Sequence, residues 1–181
     1  GYGGDDRIVA GFEGMNYIID GGDGNDDLNS GNADDVYILS SGIDSIRDSG
    51  GYDVIKVPEG FDVDDMEFVR TEVGGTYGSY DDAVLILNGY GTIHLYNYFV
   101  EFSTTNDLTV EAVEFSNGQI IDLAQQTFEV RGTDGDDNIS DNVGGGLEPK
   151  HPVIDSVYIW GQGNDVISEL FGGIDTVRFG E

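Results

Sequence analysis

Short apolar runs recur along residues 1–56 at a nearly constant distance, and each follows a turn rich in glycine and acidic residues. In every unit an Asp or Asn stands two positions before an aliphatic residue or Tyr, and successive units are 9 or 10 residues apart. The pairs are Asp6 with Ile8, Asn16 with Ile18, Asp26 with Leu28, Asp35 with Tyr37, Asp44 with Ile46, and Asp53 with Ile55. Because glycine supplies the positive φ angles of tight turns and the apolar runs are β-prone, the pattern predicts repeated units of turn and strand.

The same pattern returns in residues 132–181. Its pairs are Asp137 with Ile139, Asp165 with Ile167, and Asp175 with Val177, and a further unit has Asp155-Ser156 before Tyr158. Between the two blocks, residues 57–131 hold seven Asp and seven Glu, whereas residues 1–56 hold eleven Asp and one Glu. We therefore expect three segments: a repeat block at 1–56, an insert at 57–131 and a second repeat block at 132–181.

The insert has longer alternating runs at residues 83–87, 92–96 and 110–115, which predict antiparallel strands. Asn88-Gly89 and Asn117-Gly118 are hairpin signals between or beside these runs. No long helix is predicted, although residues 62–66 can form a single helical turn. The whole chain is therefore expected to be all-β.

If two units make one coil of the chain, every second strand lies directly above its predecessor at about 4.8 Å. Aspartates then stack in two columns, one of Asp6, Asp26 and Asp44 and the other of Asn16, Asp35 and Asp53, while the apolar residues point inward. Carboxylates stacked in this way repel each other unless a cation lies between them. Calcium binds six to eight carboxylate and carbonyl oxygens, which suits acidic glycine turns.

Composition supports a cation as the partner and excludes others. With 36 acidic and 7 basic residues the net charge is -29, which disfavours nucleic acid and anionic membranes. Cysteine is absent, so disulfides and thiolate metal sites are excluded. No apolar run is long enough for a membrane span, and a chain that begins at Gly1 is expected to be part of a larger polypeptide.

Other chemistries fit poorly. An EF-hand loop starting at Asp20 would need Glu at its twelfth position, where Gly31 stands. His94 and His151 lie in no catalytic motif, and no nucleophile and base pair is visible, so we expect no enzymatic activity.

Residues 21–29, GGDGNDDLN, match the nonapeptide G-G-x-G-x-D-x-U-x throughout, and residues 132–139 and 160–167 match it in part. In these motifs the chain resembles the RTX (repeats-in-toxin) family, and residues 85–87, 93–99 and 113–118 resemble the haemolysin-type calcium-binding-related region that accompanies such repeats. The resemblance implies a parallel β-roll that binds several Ca²⁺ ions. The candidate metal ligands are Asp6, Asn16, Gly22, Asp23, Gly24, Asp26, Asp35, Asp44, Asp53, Asp134, Asp137, Asp155, Gly163, Asp165 and Asp175.

The resemblance also implies export through a type I secretion channel and folding on calcium outside the cell. The expected function is a calcium-binding structural module of a secreted or cell-surface protein such as an adhesin or toxin. The alternative is a calcium-dependent module that binds a glycan or a cell-surface protein. Aromatic residues of the insert are the candidate surface for that alternative, although strand packing explains them as well.

Overall fold

The computed structural model describes residues 1–11, 14–73, 80–96, 98, 110–131, 138–140, 156–160, 166–168 and 176–179. Within these residues the regular structure is β-strand apart from 3-10 turns at Val63–Asp65 and Leu123–Gln125, which confirms the all-β expectation. No helix in this part of the chain has the length and apolar character needed to cross a membrane. The strands are β1 Arg7–Ala10, β2 Ile18–Asp20, β3 Asp27–Ser30, β4 Val36–Ile38, β5 Gly42–Arg47, β6 Val54–Lys56, β7 Met66–Val73, β8 Tyr80–Leu87, β9 Gly91–Leu95, β10 Ala112–Glu114, β11 Ile120–Asp122, β12 Phe128–Arg131, β13 Asn138–Ser140, β14 Ser156–Trp160, β15 Val166–Ser168 and β16 Thr176–Phe179.

Strands β1 to β6 alternate between two sheets. β1, β3 and β5 are neighbours in a nine-stranded sheet, whereas β2, β4 and β6 are neighbours in a five-stranded sheet. All of these pairings are parallel, with Asp27 opposite Arg7 and Ser45, and with Val36 opposite Ile18 and Val54. Each strand therefore pairs with the strand two units further along, as the period of the sequence predicts.

The insert extends both of these sheets. β7, β8 and β9 form an antiparallel meander, and β9 then pairs in parallel with β5. β10 pairs in parallel with β6 and antiparallel with β11. The predicted hairpin turns are present, with Gly89 between β8 and β9 at φ 75° and Gly118 between β10 and β11 at φ 86°. Antiparallel pairing is thus confirmed among β7, β8 and β9 and between β10 and β11. The insert also has parallel pairings, because β12 pairs in parallel with β7, and β9 and β10 pair in parallel with strands of the first block.

The last part of the chain continues the larger sheet. β12 pairs in parallel with β7, β14 with β12, and β16 with β14. β13 and β15 form a separate parallel pair, with Ile139 opposite Ile167. The two partners in this pair come from the predicted first and third units of the second repeat block.

The core lies between the two sheets. Its buried side chains come from the first block, as in Leu28, Tyr37 and Ile55, and from the insert, as in Leu85 and Phe115. These residues form one continuous hydrophobic cluster, because β9 and β10 lie on the same sheets as β5 and β6. The insert and the first block therefore share a core.

The second unit departs from the predicted register by one residue. Ile18 was expected to point inward, but its side chain is 78% exposed, whereas Ile19 is 3% exposed. Ile19 lies opposite Tyr37, which is the inward residue of the fourth unit. The expected pairing of Asn16 with an inward Ile18 is therefore wrong, and Tyr17 with Ile19 takes its place. The step from Ile8 to the inward Ile19 is therefore eleven residues, whereas Ile19 and Leu28 are nine residues apart.

Candidate metal centre

The glycine turns stack on one another through their backbones. Gly4 N donates a hydrogen bond to Asp23 O at 2.6 Å, and Gly24 N donates to Ser41 O at 3.1 Å. Gly24 and Gly42 have φ angles of 139° and 113°, which L-residues rarely adopt. A Cβ atom at Gly42 would lie 1.9 Å from Gly24 O. Glycine is therefore required for successive turns, with their carbonyl oxygens, to approach each other this closely.

One predicted column of aspartates is present along the first edge. Asp6 N donates to Asp26 Oδ1 at 2.8 Å, and Asp26 N donates to Asp44 Oδ1 at 3.1 Å. Asp26 and Asp44 are buried. The three residues that the sequence predicts for this column therefore lie together on this edge.

The second edge carries a similar column with different members. Tyr17 N donates to Asp35 Oδ1 at 2.7 Å, and Asp35 N donates to Asp53 Oδ1 at 2.7 Å. Asp53 N in turn donates to Glu111 Oε2 at 2.6 Å. Tyr17 thus holds the column position that was predicted for Asn16, which is one residue earlier in the chain. Glu111 of the insert adds a member that the sequence analysis missed.

Glu111 has the same spacing from a buried apolar residue as the column aspartates of the repeat units. It stands two positions before the buried Val113, just as Asp35 stands two positions before the buried Tyr37. The repeat units of residues 1–56 have Asp or Asn at this place, and Glu111 lies in the insert, where the composition differs. A pattern that allowed Glu would have found the position.

Three column carboxylates have an oxygen without a partner. Oδ2 of Asp26, of Asp35 and of Asp53 is buried and makes no hydrogen bond. By contrast, Asp44 Oδ2 accepts a hydrogen bond from Ser40 Oγ at 2.8 Å. An ionised oxygen buried without a partner is costly, and a coordinated cation removes that cost. Buried carboxylate oxygens beside glycine carbonyls are a ligand set that fits a hard cation such as calcium.

Asp48, which the sequence analysis did not select, joins this second edge. Asp35, Asp48 and Asp53 are all buried, and each offers one carboxylate oxygen within 4.8 Å of those of the other two. Tyr37 Oη donates to Asp48 Oδ2 at 2.7 Å, and Ser30 Oγ donates to the same oxygen at 2.6 Å. Among the described residues this group of carboxylates is the one compact enough to hold a single metal ion.

Burial and like charge shift the acidity of these groups. Burial, followed by the charge of neighbouring Asp48, raises the pKa of Asp53 to about 8. Burial also raises the pKa of Asp44. Burial and then the Asp48 carboxylate raise the pKa of the Tyr37 phenol, so this group remains protonated and serves as a donor. Without a cation, the second edge therefore favours a proton on Asp53 at neutral pH.

In metal-free solution, the free energy of unfolding is expected to fall as the pH rises from about 4 to about 8. The folded pKa of Asp53 is about 8, above the roughly 3.9 of an unfolded Asp. Its contribution is fully present below the unfolded pKa and is lost as the pH rises through the folded pKa. Circular dichroism in chelator at several pH values measures this slope, as a content of β-structure that is greatest at low pH and small at neutral pH.

The control for the pH dependence is a pair of charge-matched variants. Asp53→Asn should flatten the slope, because the titrating group is gone, whereas Asp64→Asn on the exposed 3-10 turn should leave it unchanged. A chain that gains stability between pH 5 and pH 8 in chelator would contradict the expectation.

The remaining predicted ligands lie in two places. Gly22, Asp23 and Gly24 form the turn beside Asp26, where Asp23 Oδ1 accepts a hydrogen bond from Ser41 Oγ of the next turn at 2.5 Å. The other predicted ligands fall outside the described residues: Asp134, Asp137, Asp155, Gly163, Asp165 and Asp175. For these six residues the expected metal binding stays a prediction.

The aromatic residues of the insert do not gather into one exposed surface where they are described. Tyr98 is buried, and its ring centroid lies 5.8 Å from that of Phe128 in the core. Tyr90 lies at the surface beside Phe61, with ring centroids 5.3 Å apart. Tyr98 thus serves packing.

The chain was also compared with known proteins. Neither the models of known protein families nor the curated proteins gave a match.

Proposed function

We propose that this chain is a calcium-binding structural module whose repeat units form a parallel β-roll. The observation that carries the proposal is the set of buried, unpartnered Oδ2 atoms on Asp26, Asp35 and Asp53 within stacked glycine turns. The alternation of strands between two parallel-paired sheets is what a roll of two units per coil requires. The resemblance of residues 21–29 to the RTX nonapeptide supports calcium as the ion.

Calcium acts in this proposal as the condition for folding. Without it, the column carboxylates repel each other in a chain of net charge -29 and leave buried oxygens unsatisfied. A ligand that binds only the folded state stabilises that state in proportion to the logarithm of its concentration. Several sites of about millimolar affinity, typical of extracellular modules, would therefore hold the chain unfolded inside the cell and folded outside.

The module is proposed to be non-catalytic and to belong to a secreted or cell-surface protein that leaves the cell through a type I channel. Its role there is to fold and stiffen part of a larger polypeptide. The columns explain the many carboxylates without recourse to an acid and base pair.

A calcium titration followed by circular dichroism tests the proposal. We expect little β-structure in chelator, a cooperative gain of β-structure at about millimolar calcium, and reversal when chelator is added back. Magnesium should be a poor substitute, since it demands a stricter octahedral shell and keeps its waters. Equal β-structure and equal stability with calcium and with chelator would overturn the proposal.

Two variants of equal charge sharpen this test. Asp26→Asn removes a carboxylate with an unpartnered buried oxygen, and should raise the calcium concentration at the midpoint of folding several-fold. Asp64→Asn removes the same charge from an exposed position outside the columns, and should leave that midpoint unchanged or slightly lowered. A similar shift for both variants would indicate a general charge effect in place of bound ions.

A further inference from the structure

Asp48 occupies a place in its turn that Gly21, Ser30 and Leu39 occupy in other turns. It precedes Asp53 by five positions, as Gly21 precedes Asp26 and Ser30 precedes Asp35. A Cβ atom at Gly21 would lie 2.0 Å from Asp26 Oδ2. A side chain at Gly21 would therefore meet the column carboxylate of its own turn, and at Asp48 the side chain is itself a carboxylate within 4.8 Å of Asp53.

The Asp48 carboxylate is held in a fixed orientation. Its Oδ2 accepts from Tyr37 Oη and Ser30 Oγ, and its Oδ1 accepts from Gly50 N at 2.7 Å. A carboxylate has about four lone-pair positions, so three hydrogen bonds leave one on Oδ1. The remaining lone-pair position leaves this carboxylate able to contact a cation.

Five basic side chains of the described residues form their ion pairs elsewhere. Within the described part of the chain the ion pairs of Arg7, Arg47, Lys56, Arg131 and Arg178 involve other acidic residues. Asp35 is 1% exposed and Asp53 is 0% exposed, and each has a buried Oδ2 without a hydrogen-bond partner. Three carboxylates thus converge where two turns meet, and two of them have an unsatisfied oxygen.

Resting on the proposed function, we infer that Asp48 is a third carboxylate ligand that makes the Asp35, Asp48 and Asp53 group the first calcium site to fill. The described turns of the first edge provide Asp26 and the Ser40-bonded Asp44 without an equivalent third carboxylate. Affinity for calcium rises with the number of charged ligands and with the rigidity of the site, and this group has more of both. Binding here ties the turn at residues 30–35 to the turn at residues 48–53.

Terbium luminescence tests this inference. Tb³⁺ is close to Ca²⁺ in size and emits when a nearby phenol transfers energy to it, and the Tyr37 phenol contacts Asp48 directly. We expect sensitised emission in the first phase of a Tb³⁺ titration, displaced by calcium and weakened in Tyr37→Phe. Asp48→Asn should raise the Tb³⁺ concentration at the midpoint of this phase by about tenfold or more.

Two further variants keep the test decisive. Asp48→Gly introduces glycine, the residue that Gly21 provides at the same place in its own turn. This variant should fold in calcium but lose the first, tight phase of the Tb³⁺ titration, even if Asp48→Asn folds poorly. Asp64→Asn, which removes an exposed carboxylate outside the columns, should leave the tight phase in place. An unchanged tight phase in Asp48→Gly, or its loss in Asp64→Asn, would overturn the inference.

The outcomes for Asp48 and for the proposed function are separable. If calcium folds the chain but the Asp48 variants leave the midpoint of the tight phase unchanged, the inference that Asp48 is a third ligand fails by itself. If neither calcium nor Tb³⁺ changes the circular dichroism or the emission, both fail.

Discussion

Replacing Gly42 with alanine should lower the free energy of unfolding in calcium by about 3 kcal/mol or more. The φ angle of Gly42 is 113°, which is unfavourable for any L-residue. The new Cβ would also lie 1.9 Å from Gly24 O and 2.7 Å from Gly24 C, both of them backbone atoms of the turn below. Relief of this clash requires the two turns to separate, which opens the column between Asp26 and Asp44. Urea denaturation in calcium-containing buffer measures the loss.

Gly89→Ala provides a matched control for the stacking of turns. Gly89 also has a positive φ, 75°, but a Cβ there would meet no atom within 4 Å. The backbone conformation alone should cost about 1 kcal/mol. Equal losses for the two variants would mean that the glycine turns do not approach each other as closely as the structure places them.

Ile19→Ala should cost about 3 kcal/mol, whereas Ile18→Ala should change the stability by less than about 0.5 kcal/mol. Ile19 is a member of the buried core cluster, and its truncation leaves a cavity beside Tyr37. Ile18 is on the outer face of β2 and is largely exposed. Denaturant midpoints of the two variants, measured side by side in calcium, give the comparison.

The two isoleucines are adjacent and chemically identical, so each is the control for the other. In a strand, a shift of one residue exchanges the inward and outward faces. A larger loss for Ile18→Ala would therefore restore the register in which Asn16 and Ile18 form the pair, and would exclude Tyr17 from the column.

The repeat units were predictable because their information is local. A glycine turn, an aspartate and an apolar residue two positions later are all within nine residues, as in residues 21–29, and turn chemistry and strand propensity act over that distance. The hairpin turns at Gly89 and Gly118 were predictable for the same reason. The constant spacing then indicated which strands pair and which aspartates stack.

The errors and omissions have a common origin in contacts between distant residues. The extra residues before the second unit can be absorbed on either side of Asn16, and only the opposition of Ile19 to Tyr37 fixes the choice. Glu111 enters the second column because β10 pairs with β6, across 58 residues of sequence. Asp48 joins Asp35 because their turns are stacked, although the motif places glycine where Asp48 stands.

The sequence by itself determined an all-β chain of turn and strand units, the parallel stacking of every second strand, and the position of most column aspartates. Only the tertiary structure decided that the insert shares the core and extends the second column, and which carboxylate oxygens are buried without a partner. The physical reason is the separation along the chain between the residues that specify each feature. A turn and its strand are specified by adjacent residues, whereas the surroundings of a carboxylate oxygen are specified by whichever turn lies above and below it.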